Sequence, residues 1–422
     1  MRVLIIAHGH PERFPGGGEI AAYRLFSGLK GVEGCTTMFA AAAPVDFVRQ
    51  SGEVEFFEGR PDEVSIKTEM SDYFSLDASS AVQAQAISLV IKAFDPDIIH
   101  FHHYIQFGAD VFRRCRADAP RAKILLTLHE FMALCHHNGQ MVTRPDFSLC
   151  TRPDPHACAS CFPEHTPLAF AGRAGYLLES LAPVHRLIAP SRFLMERYVS
   201  WGIEPGKITQ VDNLPPVFAS GPPPPRRLAT GEGRRKFGFF GQVTPYKGLL
   251  RLLKALLSAQ ENGARVRFPA EVSIHAANLT LNTPELQSAV AAAVARAGGR
   301  ARLRGSYGAD ELPELMADVD WVIVPSIWWE NSPLVIEEAL ALGRPVICSG
   351  IGGMAEKVRP GIDGLHFPVG DHVALGRLIA DLATDVSVWE RIRATMRRPR
   401  PDRHSLRPHL DLYKEVLREH RI

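Results

Sequence analysis

Nowhere among its 422 residues does the sequence run through the roughly 18 uninterrupted apolar positions that suggest a membrane-spanning helix. Net charge is nearly absent: 48 Lys and Arg against 46 Asp and Glu leave a formal +2, which argues against general nucleic-acid binding. Cysteine is sparse, at seven residues, and the apolar opening from Val3 to Ala7 is too short for the hydrophobic region of an export signal. A reducing compartment is therefore expected rather than a disulfide scaffold, and with it a cytoplasmic protein. The first strand is followed by no G-x-G-x-x-G, which excludes a dinucleotide-binding fingerprint at that point. A hydrophobic content of 46% with 22% charged residues is ample for two domains with cores of their own.

The densest information lies between Trp321 and Glu356, WVIVPSIWWENSPLVIEEALALGRPVICSGIGGMAE. Val322 to Val324 is a short apolar run closed by Pro325, as expected of a strand buried on both faces of a parallel sheet. Ser332 and Pro333 then read as an N-cap and first helical position, and Gly343 as the helix stop. Pro345 to Ser349 suits the next strand, and Gly350, Gly352 and Gly353 a turn that backbone or ligand can approach closely. Glu330 precedes the helix and Glu338 lies inside it. Acidic residues at a helix start are commonly no more than complements to the helix dipole, worth about 0.3 to 1 kcal/mol. At the carboxyl end of a parallel strand, however, the same place receives anionic ligands on free backbone N–H groups.

Strand and helix signals alternate along the rest of the chain, which predicts doubly wound parallel sheets. RVLIIA leads into a loop containing Gly16, Gly17 and Gly18, a flexible connection or an anion site at a helix start. A helix is predicted from Ala81 to Phe94, and DIIHFHH and KILLTLHE read as strands. His129 falls at the end of the latter, where a histidine is as readily structural as ligand-facing. Cys135, Cys150, Cys158 and Cys161 lie in an irregular stretch rich in Pro, Asp and His; a tetrahedral zinc site, free thiols and a redox pair all remain open. After the proline-rich NLPPVFASGPPPPRRLATGEGRR, the strand KFGFFGQ and the loop VTPYKG place Lys247 beside a helix start. Such a lysine is usually solvated surface, but there it can act as a point charge on phosphate. From Val386 to Ile422 ten Lys or Arg face five Asp or Glu, a net +5 that suits a solvated helix face.

Glu330, Glu338, Ala341, Gly343, Pro345, Val346, Ile347, Gly352, Gly353 and Glu356 together resemble the signature of the GT-B retaining glycosyltransferases of family 4: two glutamates separated by seven residues, A-x-G-x-P-V-I, and a G-G-x-x-E turn. Gly16, Gly17 and Glu19 match that family's G-G-x-E loop, Thr127, His129 and Glu130 its T-x-H-[DE], and Gly241, Gln242, Lys247 and Gly248 its G-[RQ]-x-x-x-x-K-G. Many members have arginine where this chain has Gln242, which removes or replaces one of two cations on the diphosphate.

The resemblance implies an α/β GT-B architecture, two Rossmann-like doubly wound domains facing across a cleft. Residues 1–212 would form the acceptor-side domain, with the cysteine-bearing insertion at 131–167, a feature some members share. Residues 213–235 would be the linker, 236–385 the nucleotide-binding domain, and 386–422 a basic helical segment returning toward the first domain. The implied activity is transfer of a sugar, with retention, from a nucleotide-diphosphate sugar to a glycan, lipid-linked or small-molecule acceptor, in surface polysaccharide or glycoconjugate synthesis. His129, Glu330 and Lys247 would carry the catalysis. Gly16, Gly17, Gly241, Gln242, Tyr307, Asn331, Ser332, Pro333, Leu334 and Glu338 would join Glu330 and Lys247 in binding the donor. In those roles Glu330 holds sugar hydroxyls, Glu338 the ribose diol, and Tyr307 lies by the base. No cofactor is required, structural zinc on the four cysteines aside. The basic end would allow peripheral contact with the cytoplasmic membrane face. A sugar-nucleotide epimerase or phosphorylase, or a non-catalytic carbohydrate- or partner-binding protein, are the alternatives.

Overall fold

The apolar runs do become buried parallel strands. In the computed structural model, residues 1–44, 53–78, 80–144, 146–218, 221–261, 270–399 and 403–419 are described. Parts of two expected segments, 219–220 in the proline-rich stretch and 400–402 with 420–422 in the basic one, lie outside them. The chain splits into two units, Met1–Leu214 with Asp402–Ile422, and Pro215–Pro401.

In the first unit the elements follow as β1 (Arg2–Ala7), α1 (Gly17–Lys30), β2 (Thr36–Pro44), β3 (Val54–Phe57), β4 (Arg60–Thr68), α2 (Ala81–Phe94), β5 (Ile98–Phe101) and α3 (Val111–Asp118). Then come β6 (Lys123–Thr127), α4 (Pro155–Cys161), α5 (Pro167–Ser180), β7 (Arg186–Ala189), α6 (Arg192–Trp201) and β8 (Ile208–Gln210). The strands form one sheet in the order β3-β4-β2-β1-β5-β6-β7-β8, with only the β3–β4 pair antiparallel. The helices are ended by local chemistry: Ser80 caps α2 by accepting from the Gln83 N–H, and Asp95 stops it in a left-handed conformation, φ 45°. β2 to β4 give weaker signals, because alanine and charged residues interrupt the apolar alternation on which strand recognition depends.

The second unit contains β9 (Lys236–Gln242), α7 (Leu249–Glu261), β10 (Glu271–Ala277), α8 (Pro284–Arg296), β11 (Ala301–Gly305), α9 (Leu312–Ala317), β12 (Trp321–Val324), α10 (Leu334–Ala341) and β13 (Val346–Ser349). α11 (Gly352–Lys357), β14 (Gly364–Phe367), α12 (His372–Thr384) and α13 (Val386–Thr395) complete it. Its sheet is wholly parallel, in the order β11-β10-β9-β12-β13-β14. Counted from β9 this is the 3-2-1-4-5-6 winding of a dinucleotide-type fold, although the glycine fingerprint is missing.

The proline-rich stretch is fastened rather than loose within this unit. Asp320, 1% exposed, accepts from Arg226 at 3.0 Å, Arg234 at 3.1 Å and the Lys236 amide at 3.1 Å, so a buried carboxylate is fully compensated. The basic segment expected to return as one piece is divided. α13 buries Trp389 and Ile392 in the second core, with the Trp389 indole donating to the Asp320 carbonyl, and only α14 (Arg403–Arg418) joins the first unit. The amphipathic α14 lays Leu406, Leu412, Tyr413 and Val416 against Leu25, Phe26 and Leu29 of α1. Tyr413 also shares a 2.6 Å hydrogen bond with Nδ1 of the buried His100.

Two histidines of this joint are kept neutral. Burial, reinforced by His409 and His129, holds His100 well below the ordinary imidazole range, and burial pushes His409 down to about 4 against the pull of Asp212. Between that value and about 6.5 the unfolded chain binds protons that the folded one does not, so stability falls as pH drops. Each such histidine is expected to remove roughly 1.4 kcal/mol per pH unit below about 6.5. Denaturant unfolding of the first unit between pH 7 and 5 checks this, and His409→Asn should flatten the slope by one histidine's share.

Candidate functional site

In an open parallel sheet the ligand crevice lies beyond the carboxyl ends of the two strands where the winding reverses. In the second unit those strands are β9 and β12. The loop after β9 carries Lys247, and the loop after β12 carries Ser326 to Ser332. Gly248 makes their approach possible: its φ is +75°, and a Cβ there would meet the Pro325 carbonyl at 1.8 Å. The Ile327 N–H donates to the Tyr246 carbonyl at 2.8 Å, locking the loops together.

Lys247 Nζ then donates to Glu330 Oε1 at 2.7 Å, and the same oxygen accepts from Ser326 Oγ at 2.7 Å and Trp328 Nε1 at 3.0 Å. Glu330 is 5% exposed, so these contacts compensate a desolvated carboxylate. From the other side the Gly353 N–H donates to the Glu330 carbonyl at 2.8 Å. A side chain at Gly353 would overlap Asn331, its Cβ 1.5 Å from the carbonyl oxygen. The close approach expected at the glycine turn is thus made by backbone.

One expectation is corrected here. Ser332 does not cap the helix: α10 begins at Leu334 with Pro333 in the cap position, and the buried Ser332 Oγ has no partner among the described residues. Pro333 has no N–H, so the amides left for an anion are those of Leu334 and Val335. Glu338 follows one turn along α10. Burial, with the charge of Glu338 adding to it, pushes the Tyr307 phenol above its ordinary range. Tyr307 also stands edge-on to Phe240 and His275, themselves stacked at 4.7 Å. Gly241 (φ +141°) and the exposed Gln242 end β9.

In the first unit the winding reverses between β1 and β5, and histidines collect there. His8 follows β1, His102 and His103 follow β5, and His129 lies just beyond β6. His102 Nδ1 and His129 Nε2 share a hydrogen bond of 2.9 Å, and the His8 and His103 rings are 4.4 Å apart. Burial, then the neighbouring His103 and His8, pushes His129 down to about 3, so it is a neutral ring near pH 7. The glycine loop reaches this group, since a Cβ at Gly18 would lie 3.4 Å from His8 and 3.6 Å from His129. Gly16 is the cap position of α1 and Gly17 its first residue. The Glu19 carboxylate folds back over Gly16 and pairs with His8 at 2.9 Å.

Of the other members of the expected histidine motif, Thr127 turns inward and Glu130 stays beside His103. Thr127 Oγ1 pairs with His100 at 2.7 Å, while Glu130 accepts from the Met132 amide and lies 3.3 Å from His103. His8, His102, His103, Ser326 and Trp328 are additions that motif reading missed. The signal was visible as A-H-G-H and H-F-H-H at strand ends and as W-W before Glu330.

The zinc expectation fails the test of fit. Among the described residues no group of three or more His, Cys, Asp or Glu side chains could hold a metal ion, and Cys135, Cys150, Cys158 and Cys161 form no disulfide. Burial, with the neighbouring cysteines adding to it, pushes Cys135 up to about 11 and raises Cys150 and Cys158, so these side chains are protonated near pH 7. Cys161 Sγ instead accepts the Arg144 N–H at 3.2 Å. What orders this stretch is Arg173, whose guanidinium donates to the carbonyls of Phe74, Met132 and Ala133, each at 2.6 Å.

Two family models cover most of the chain: Glycosyltransferase Family 4 over residues 15–214 and Glycosyl transferases group 1 over residues 234–385. The chain belongs to this glycosyltransferase family. It is 28% identical over 204 residues to a D-inositol 3-phosphate glycosyltransferase of Salinispora tropica, covering 46% of this chain and 41% of that one. It is 30% identical over 128 residues to a lipopolysaccharide 1,2-N-acetylglucosaminetransferase of Salmonella typhimurium, covering 30% of this chain and 33% of that one. These alignments therefore span well under half of either relative's length. Solved structures match throughout. Sucrose-phosphate synthase from Thermosynechococcus elongatus gives a TM-score of 0.70 at 16% identity, covering 99% of this chain and 100% of that one. Anabaena HepE in complex with UDP gives 0.63 at 16%, with the same coverage. The fold of this family-4 chain is GT-B.

The fit of Gly353 against Asn331 makes a direct test of the loop. Gly353→Ala is expected to destabilise the second unit by about 1 to 3 kcal/mol, the usual cost of overpacking. Gly172→Ala, in the exposed middle of α5 with open space around it, should instead stabilise by roughly 0.5 to 1 kcal/mol. Four of the five tryptophans lie in the second unit, so fluorescence-detected unfolding reads the first change directly.

Proposed function

We propose that this chain transfers a glycosyl group, with retention of anomeric configuration, from a nucleoside-diphosphate sugar to a hydroxyl-bearing acceptor. The observation that carries the reading is the Lys247–Glu330 pair, 2.7 Å apart at the β9/β12 reversal and beside the first free amides of α10. A cation and helix amides suit a diphosphate, and a buried carboxylate next to them suits sugar hydroxyls. In the reaction the bond from the anomeric carbon to the diphosphate oxygen breaks, the acceptor oxygen bonds to that carbon, and the acceptor's proton leaves with the diphosphate. Lys247, Leu334 and Val335 would stabilise the charge gathering on the leaving group.

Glu338 would hold the ribose diol, with Tyr307 by the base. His129 would face the reacting sugar as a neutral hydrogen-bonding ring rather than as a nucleophile. A covalent double displacement is not part of the reading, because the sequence motifs place no second carboxylate as its nucleophile. HepE was crystallised with UDP and with UDP-glucose, which supports a nucleotide-sugar donor. The relatives named for inositol phosphate and lipopolysaccharide support a polyhydroxylated acceptor, either a glycan, a lipid-linked sugar or a small molecule. No helix among the described residues is long and apolar enough to cross a membrane; peripheral contact at the cytoplasmic face, through basic residues of α14, belongs to the proposal.

The two glutamates separate the reading from one in which they merely complement a helix dipole. Glu330→Gln should impair transfer while leaving affinity for the free nucleoside diphosphate nearly intact. Glu338→Gln should weaken that affinity roughly ten- to a hundredfold, as expected when a charged acceptor of hydroxyl protons is lost. Calorimetric titration of both variants decides; equal losses, or a loss confined to Glu330→Gln, contradict the roles. Lys247→Ala should cut turnover by about 10²- to 10³-fold at saturating donor with little change in melting temperature. Unchanged turnover would remove it from the mechanism.

A further inference from the structure

Three donors meet on one oxygen of Glu330: Ser326 Oγ, Trp328 Nε1 and Lys247 Nζ, at 2.7, 3.0 and 2.7 Å, all on Oε1. A carboxylate oxygen offers about two lone-pair directions, so a third donor on it is one more than its geometry serves well. The two carboxylate oxygens are therefore used unequally, and Oε2 receives no donor among the described residues.

The three donors also differ in freedom. Ser326 and Trp328 lie four and two residues from Glu330 in the same loop. That loop is closed by a 3.0 Å bond from the Glu330 N–H to the Trp328 carbonyl, which turns the indole and the carboxylate to one side. Lys247 comes from 83 residues away on a flexible stem. The indole touches both partners, its N–H on the carboxylate and its ring centroid 5.5 Å from the ammonium, within cation–π range. Tyr246, whose ring is 6.3 Å from that of Trp328, backs it from the lysine's own loop.

We propose that Trp328 and Ser326 are positioning residues for sugar recognition: they hold Oε1 so that Oε2 is presented to a hydroxyl of the bound sugar, while Lys247 is the donor that turns from Oε1 to the diphosphate. The inference rests on the donor-site reading above and deepens it. Removal of Lys247 toward phosphate leaves Oε1 with two donors and an ionised group still satisfied, so the site exchanges one ion pair for another without exposing a bare buried charge. An acceptor-only carboxylate held in this way favours a sugar with a free hydroxyl at the contacted carbon, and rejects the deoxy sugar, which would leave Oε2 unpaired.

The test uses the full chain and calorimetric titration with UDP-glucose, UDP-N-acetylglucosamine, GDP-mannose and ADP-glucose, each beside its free nucleoside diphosphate. For whichever pair binds the wild-type protein, Trp328→Phe keeps the aromatic face but removes the N–H. It is expected to weaken the nucleotide sugar about five- to tenfold and the free diphosphate less than about twofold, as for loss of one hydrogen bond to a charged group. Ser326→Ala should act in the same direction.

The effects must also run through Glu330. In a Glu330→Ala background, Trp328→Phe should make no further difference to nucleotide-sugar affinity, a non-additivity that a general packing role would not produce. Equal weakening of sugar-bearing and sugar-free nucleotides, or the same loss in the Glu330→Ala background, overturns the proposal and leaves the donor site standing. Failure of every nucleotide to bind the folded wild-type protein overturns the donor-site reading and this inference with it. Should Trp328→Phe fail to fold, Ser326→Ala takes its place in the same cycle, and the same outcomes support or overturn the proposal.

Discussion

The ion pair between Lys247 and Glu330 is the contact on which the second unit's site depends. Its partners come from loops that only the parallel pairing of β9 with β12 makes neighbours. The contact is strong because Glu330 is desolvated, and it is tolerable for the same reason that it is strong: a buried carboxylate without donors would cost several kcal/mol. The surrounding backbone is built to that end. Gly248 lets one loop close on Pro325, and Gly353 lets α11 press against Asn331, so neither loop can drift from the other without losing contacts on both sides.

Charge is handled differently in the first unit. There the polar groups at the strand ends are mainly histidines, and burial keeps His100, His102 and His129 below their ordinary range. A crevice lined by neutral imidazoles can donate and accept hydrogen bonds without attracting or repelling charge, which suits hydroxyl-rich ligands better than anions. The charged groups present are already paired: Glu19 with His8, and Glu130 with His103. Glu19 remains below the usual carboxylate range although burial, the largest influence, pushes it up, because the hydrogen bond and charge of His8 work the other way. The cation and helix amides that the proposed donor site needs lie instead at the Lys247 loop and the start of α10.

Much of the architecture was legible because parallel strands leave an unambiguous trace, a short apolar run followed by turn residues and a helical period. β12, α10 and β13 fall where VIV, the amphipathic run after Pro333 and PVICS put them. The glutamate pair, the A-x-G-x-P-V-I run and the double glycine are adjacent in sequence because one strand–helix–strand unit carries them all, so a linear motif could record them. β2 to β4 were hidden by their alanines and charges. The division of the basic tail was hidden as well, since Trp389 and Arg403 differ less in local pattern than in which core receives them.

By itself the sequence determined the α/β class, the place of the strands and helices that carry the motifs, and the family those motifs mark, because these follow from local periodicity and from residues close together in the chain. Only the tertiary structure decided which oxygen of Glu330 is occupied, that Ser332 is not a cap, that Thr127 turns inward while Glu130 meets His103, and that no metal-holding group of side chains forms among the described residues. Each of those outcomes depends on distance and direction between side chains that approach through folding. Spacing along a chain sets which groups can meet; close packing, with one rotamer for each buried side chain, sets which of them do.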